Sequence, residues 1–302
     1  MTDFLPTDLR LGDITILFGE ANGRYPDGNS LLVSGRDQTL LVDPSLGVQR
    51  RGGAPLRVDQ VVISHAHEDH LAGLEHFPGA CVWCHEADLV GVQSLDGLLQ
   101  IYGMDAEAEA SFREDLVDTF HISGRVDAST FEDGHVFDLG GRTVTVVHLP
   151  GHTRGHCGLM IEPDGFFYVA DIDLTGFGPY YGDEWSDLEG FEGSIERCRE
   201  LDAQRYLTFH QKGFIDGRGQ FLDQLQGFAD VIRQREEAMV AFMSEPRSLE
   251  ELAAHRFIYR PHVDSPYVNS VELRCARRHL DRMLVDGSVT EVEPGRFRST
   301  GR

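Results

Sequence analysis

Short apolar runs broken by Gly, Pro and Asp dominate the N-terminal two thirds of the chain, and they read as strands. The pattern predicts strands at residues 11–18, 30–34 and 39–43, with Gly35, Arg36, Asp37 and Gln38 turning between the last two. Asp59 to Ile63 leads as a buried strand into a polar loop, and Leu71-Ala72-Gly73-Leu74 after it reads as a helix start. Further strands are expected at 80–83, 143–148, 165–171 and 205–210, and 131–135 and 139–142 read as turns around one more. Residues 105–117 are rich in helix formers and predict a helix whose acidic run is a solvated face. After about residue 220 the character changes. Residues 221–243 carry apolar positions at helical spacing, and Ser248-Leu249-Glu250-Glu251 is a capping box opening another helix. Residues 268–285 read as a longer helix, followed by a small hairpin, 289–292 and 296–298, around Pro294-Gly295. The expected division is therefore a catalytic domain over 1–219 and a helical region over 220–302.

Composition narrows the class. With 41% hydrophobic and 25% charged residues among 302, the chain is a globular protein rather than a disordered one. Its formal net charge of −23 repels phosphate backbones and argues against a general nucleic-acid binder. The start, Met1 to Pro6, has neither a basic region nor an apolar run, so no signal peptide is expected; no stretch approaches a bilayer span. Five scattered cysteines fit a reducing compartment, and a cytoplasmic protein is the expectation. Cys81 and Cys84 have redox or zinc-ribbon spacing, but no second pair completes four thiolates and strand positions i and i+3 face opposite ways.

The chemistry concentrates in Ser64-His65-Ala66-His67-Glu68-Asp69-His70, at a strand-to-helix turn. Three imidazoles and a carboxylate within six residues suit a borderline divalent ion, zinc above all, with iron or manganese as alternatives. His65 and His67, two apart on an extended segment, can reach one metal; Asp69 and His70, turning into the helix, can reach a second. Downstream, Pro150-Gly151-His152-Thr153-Arg154-Gly155-His156 is a tight loop presenting His152 from another segment. The strand over 165–171 ends on Asp171, with Asp173 two residues on, and the last core strand ends on His210.

This His-x-His-x-Asp-His stretch, with a Pro-Gly-His loop and two later strand-end ligands in order, resembles the metallo-β-lactamase superfamily. The resemblance implies a four-layer αββα sandwich with a two-metal site at one edge of its sheets. It makes His65, His67 and His152 ligands of one ion, Asp69, His70 and His210 ligands of the other, and Asp171 the bridge, favoured over Asp173. Ala170-Asp171 stands where many relatives have Gly-Asp. An acid at this position also sets the chain apart from the true β-lactamases of the superfamily, which lack the bridge. His156 is implied as a supporting residue, and Asp43, before Pro44, as a support for the metal loop. The other histidines (His76, His85, His121, His135, His148, His255, His262 and His279) read as surface or core residues.

Of the superfamily's branches the chain is most similar to the hydroxyacylglutathione hydrolases, which implies hydrolysis of a thioester or other small ester by a hydroxide shared between two divalent ions. Asp69 and Asp171 would hold the ion spacing, about 3.5–4 Å as in other two-metal sites. The expected partner is a small molecule, with no membrane and no nucleic acid. The aromatic, glycine-punctuated stretch 174–185 reads either as a mobile rim favouring a small, partly apolar acyl substrate or as structural packing. Lys212, the single lysine, is a weak candidate for gripping a glutathione carboxylate. Lactone hydrolysis uses the same centre. A phosphodiesterase or ribonuclease would need a basic groove, an iron-dependent sulfur dioxygenase would bind one iron, and a flavodiiron protein would need more chain. The tail resembles the winged-helix appendage of some superfamily hydrolases, implying a role in closing the pocket or in dimerisation. A closed, non-catalytic metal scaffold fits the motif least well.

Overall fold

A computed structural model describes residues 8–53, 56–263 and 265–301. The Met1–Pro6 stretch, on which the absence of a signal peptide was judged, lies outside the described residues. Two sheets carry the fold. The first comprises β1 (Leu9–Leu11), β2 (Ile14–Leu17), β3 (Ser30–Ser34), β4 (Thr39–Val42), β5 (Gln60–Val62), β6 (Cys81–His85) and β7 (Ser129–Phe131), paired in that order. The second is ordered β13 (Phe214–Asp216), β12 (Arg205–Thr208), β11 (Phe166–Ala170), β10 (Cys157–Glu162), β9 (Thr143–His148) and β8 (Val136–Asp138). Strands β4 to β7 run parallel, as do β11 and β12. Parallel strands are covered on both faces, which is why Val61, Val62 and the whole of β11 are buried.

Helices cover both outer faces. On the first sheet lie α1 (Leu46–Arg50), α2 (Glu68–Leu71), α3 (Leu89–Gln93), α4 (Leu95–Tyr102) and α5 (Ala106–Asp118); on the second lie α6 (Leu188–Glu200) and the first half of α7 (Arg218–Phe242). Separate apolar clusters fill the three seams, helix against sheet, sheet against sheet and sheet against helix. This is the expected αββα sandwich. The C-terminal region adds α8 (Leu249–His255), α9 (Val268–Asp286) and the hairpin β14 (Val289–Glu293) and β15 (Arg296–Ser299), with their own small core around Met239, Leu252, Leu280 and Phe297. The Ser248 capping box forms, its hydroxyl and the Glu251 carboxylate exchanging hydrogen bonds with backbone N–H groups.

Three local readings change. Residues 11–18 are not one strand, because Gly12 takes a positive φ of 67° and folds β1 back onto β2. The helix expected from Leu71 starts at Glu68 instead, placing Asp69 and His70 in its first turn. The loop over 174–185 does reach the site, but it is pinned rather than loose: Arg235 of α7 donates to the carbonyls of Phe177 and Pro179. Arg278 of α9 donates to those of Tyr181, Asp183 and Ser186.

Cys81 is exposed and Cys84 buried, so the pair faces opposite ways as alternation requires.

Candidate metal centre

The ends of β4, β5, β9, β11 and β12 point to one edge of the sandwich, and the loops leaving them carry Asp43, His65–His70, His152, Asp171 and His210. Two short-range devices shape these loops. Gly151 takes a φ of 127°, and a side chain there would strike Phe191. Buried Asp88 ties two loops together, accepting from Ala66 N at 3.1 Å, Thr153 Oγ1 at 2.6 Å and Gly155 N at 2.8 Å. Gly155 leaves no room for a β-carbon, which would sit 2.6 Å from the Asp88 carboxyl carbon. Backbone strain concentrates here too: Asp43, Ala170 and Gln211 hold positive φ angles of 47°, 48° and 47°. The Ala170 position is thus a left-handed one, where glycine would be unstrained.

The seven expected side chains converge. Donor atoms of His65, His67, His152 and Asp171 lie within 4.8 Å of one another, and so do those of Asp69, His70 and His210. Asp171 stands between the groups: its carboxylate is 3.1 Å from His70 Nε2, 3.3 Å from His152 Nε2 and 3.6 Å from His210 Nε2. Asp173 instead turns to accept from Thr175 N.

Each imidazole is oriented from behind. His70 Nδ1 donates to Asp43 Oδ2 at 2.9 Å, His152 Nδ1 to the Tyr180 carbonyl at 2.9 Å, and His210 Nδ1 to the Gly23 carbonyl at 2.9 Å. His65 Nδ1 lies 3.1 Å from Ser64 Oγ, which itself donates to Asp43. These bonds leave four Nε2 atoms facing inward; His67 alone presents Nδ1, 3.1 Å from His65 Nε2. His156 is occupied on both nitrogens, donating to the Leu149 carbonyl and accepting from Asp171 N, so it supports without facing the cluster.

Sequence reasoning missed Asp183. This buried residue holds His67 from outside, its Oδ2 3.0 Å from His67 Nε2, and Tyr180 Oη donates to its other oxygen. It also overlooked Glu68, which takes hydrogen bonds from Tyr25 and Tyr102. Neither has a local signature for this role, since His67 is distant in sequence from Asp183, and Tyr25 and Tyr102 from Glu68.

The donor set suits divalent ions. Asp69, His70, His152, Asp171 and His210 turn their inner atoms only toward one another: His70 Nε2 lies 3.1 Å from Asp171 Oδ1, His152 Nε2 3.3 Å from Asp171 Oδ2 and His210 Nε2 3.1 Å from Asp69 Oδ2. A cluster of imidazoles and carboxylates that face only each other fits a divalent metal. Electrostatics agree. Burial lowers the His210 pKa, but Asp171 and Asp69 outweigh it and carry it up to about 10. Burial raises the Asp171 carboxyl, but His210 and His70 hold it well below the ordinary range.

The cluster thus carries protons where an ion would sit, and an ion must displace them. Loading zinc into the metal-free protein at pH 7.5 should therefore release protons and tighten as pH rises toward 10. Calorimetry in buffers of different ionisation enthalpy measures this, and a pH-independent affinity would contradict it. The stability sign is opposite. The raised His210 pKa stabilises the metal-free fold fully below its ordinary 6.5, and that contribution is lost as pH climbs through about 10.

A cavity of about 290 Å³ opens over the cluster, reached by His67, Asp69, His152, Asp171 and His210 and walled by aromatic side chains. Lys212 is exposed and does not line it.

An α/β sandwich pooling imidazoles and carboxylates at its strand ends beneath a cavity places the chain in the αββα class, with a side-chain cluster that could hold metal ions. The sequence profile of the Metallo-beta-lactamase superfamily matches residues 24–210, and the chain belongs to that superfamily. It is 27% identical over 202 residues to the acyl-coenzyme A thioesterase MBLAC2 of Bos taurus, covering 59% of this chain and 70% of that one. It is 24% identical over 246 residues to a hydroxyacylglutathione hydrolase of Methylococcus capsulatus, covering 78% of this chain and 82% of the relative. Among solved structures, the metallo-beta-lactamase family protein TTHA1429 of Thermus thermophilus superposes with a TM-score of 0.70 at 21% identity, covering 96% of this chain and 99% of the other. Among the described residues no helix is long and apolar enough to cross a membrane.

Proposed function

We propose that this protein is a metal-dependent hydrolase holding two divalent ions and cleaving a thioester or another small ester. The observation that carries the reading is the convergence of seven imidazole and carboxylate groups, six of them buried, at one edge of the sandwich, with His67, Asp69, His152, Asp171 and His210 lining one cavity. His65, His67 and His152 would hold one ion and Asp69, His70 and His210 the other, with Asp171 shared; zinc suits the set best. Such ions supply a water acidified toward neutrality and a Lewis acid for the carbonyl oxygen. The chain's own part is orientation: Asp43, Asp183 and the Tyr180 carbonyl fix the rings, while the aromatic wall limits the water around the scissile bond. Residues 220–302 close the outer side of the cavity through Tyr259 and Tyr267.

The named activities of the relatives, a thioesterase and a glutathione thioester hydrolase, favour the thioester. Among the described residues no Lys or Arg lines the cavity, which weighs against a phosphodiester substrate. Stripping the protein with a chelator and restoring zinc, iron or manganese separately tests the proposal on acyl thioesters, p-nitrophenyl esters, lactones and bis(p-nitrophenyl) phosphate. Ester or thioester turnover should vanish and return with about two ions per chain. Unchanged turnover in the stripped protein, or activity on the phosphodiester alone, would overturn it.

A further inference from the structure

The wall of the cavity is a connected arc of rings. His67 stacks on Tyr102 with centroids 5.0 Å apart; Tyr102 meets Phe112 at 5.0 Å, and Phe112 meets Tyr267 at 6.4 Å. Tyr267 lies 6.1 Å from Tyr259, and Tyr259 5.6 Å from Phe177. The arc runs from the metal-binding edge to the C-terminal region without a break. Its inner hydroxyls are already engaged: Tyr102 donates to Glu68, as does Tyr25 at the mouth, and Tyr180 donates to Asp183. What remains toward the cavity is mostly ring surface, with the Thr175 hydroxyl and the Gln211 amide as uncharged polar groups, and the charges added to the wall beyond the metal-binding groups, Glu68 and Asp173, are acids.

Two of these rings come from outside the stretch matched by the family profile, which ends at residue 210. Tyr267 sits immediately before α9. Tyr259 is held by an anchored turn, in which the N–H groups of Phe257, Ile258 and Tyr259 donate to the buried Glu272 carboxylate at 2.9, 3.0 and 2.6 Å. The C-terminal region thus fixes the far end of the cavity.

We propose that the cavity receives an uncharged, apolar acyl group with its carbonyl toward the metal-binding edge, and that Tyr259 and Tyr267 set the acceptable length. The proposal rests on the ester-hydrolase reading for the carbonyl's role. An anionic acyl group would lose its hydration, find no counter-charge and meet two carboxylates. The cavity of about 290 Å³ is bounded at its far end by Tyr259 and Tyr267, so the acyl chain it can enclose has a ceiling set by those two rings.

Primary amides test this without turnover. Calorimetric titration of the intact protein with acetamide, butanamide, hexanamide, octanamide and dodecanamide should show affinity rising about fourfold per methylene and levelling off before dodecanamide. Succinamate should bind at least about tenfold more weakly than 4-methylpentanamide, which has the same shape without the charge. In Tyr267→Ala the levelling point should move outward by two or more carbons, and Tyr267→Phe should keep the original profile. Tyr267→Leu serves the same comparison if the alanine variant does not fold. Equal binding of succinamate, tighter binding of cationic 4-aminobutanamide than of butanamide, or an unmoved levelling point in the folded variants would overturn the proposal. The chelation experiment reads hydrolysis and this titration reads the cavity, so each can fail alone.

Discussion

Replacing Asp171 by asparagine should cut turnover about a thousandfold and lower metal content from the proposed two ions to one or fewer per chain. The carboxylate lies within 3.6 Å of the inner nitrogens of His70, His152 and His210 and so stands close to both donor groups. Two dications a few ångströms apart repel strongly in a partly desolvated site, and a shared anion offsets that repulsion. Asparagine keeps the shape and one oxygen but loses the charge, so the ions part before the fold does. A loss of several kcal/mol of transition-state stabilisation corresponds to the factor given. Elemental analysis beside steady-state kinetics decides the matter. Two ions and more than a tenth of the original turnover in the variant would sink the shared-ligand role.

Asp43→Ala is expected to cost about 4 kcal/mol of folding stability in the metal-free protein and to weaken metal binding as well. The Asp43 carboxylate is fully buried and accepts from Ser64 N at 2.7 Å, Ser64 Oγ at 2.6 Å, Tyr168 Oη at 2.6 Å and His70 Nδ1 at 2.9 Å. Truncation strands all four donors in the interior, and removing one partner of a buried charged network is among the most damaging single changes. Alanine also tolerates the positive φ of 47° less well than aspartate. Asp43→Asn keeps the shape and should lose less. Urea unfolding at pH 7 measures the difference, and a loss below about 1 kcal/mol would show that the network is not a unit.

Much of this was legible in the sequence because the informative residues stand at the ends of apolar runs. His65 to His70, His152, Asp171 and His210 each follow a strand that had to be buried, and their order along the chain carried the resemblance that implied a common edge. What stayed hidden depends on distant partners. The helix α6 is disguised by Gly190 and Gly193, which lower its intrinsic propensity and leave packing to decide. Asp183 gave no local sign of facing His67, since the loop carrying it is shaped by Arg235 and Arg278. The same arginines explain why a glycine-punctuated stretch that suggested mobility is pinned. Composition can show that a segment is able to flex; the carbonyls taken up by remote guanidinium groups decide whether it does.

Those guanidinium contacts also tie the centre to a distant part of the chain. Arg278 stands almost a hundred residues beyond the loop whose carbonyls it gathers, and that loop aligns His67 through Asp183 and His152 through the Tyr180 carbonyl. A chain cut before α9 would keep every strand of the sandwich and still lack contacts that give two of its histidines their bearings.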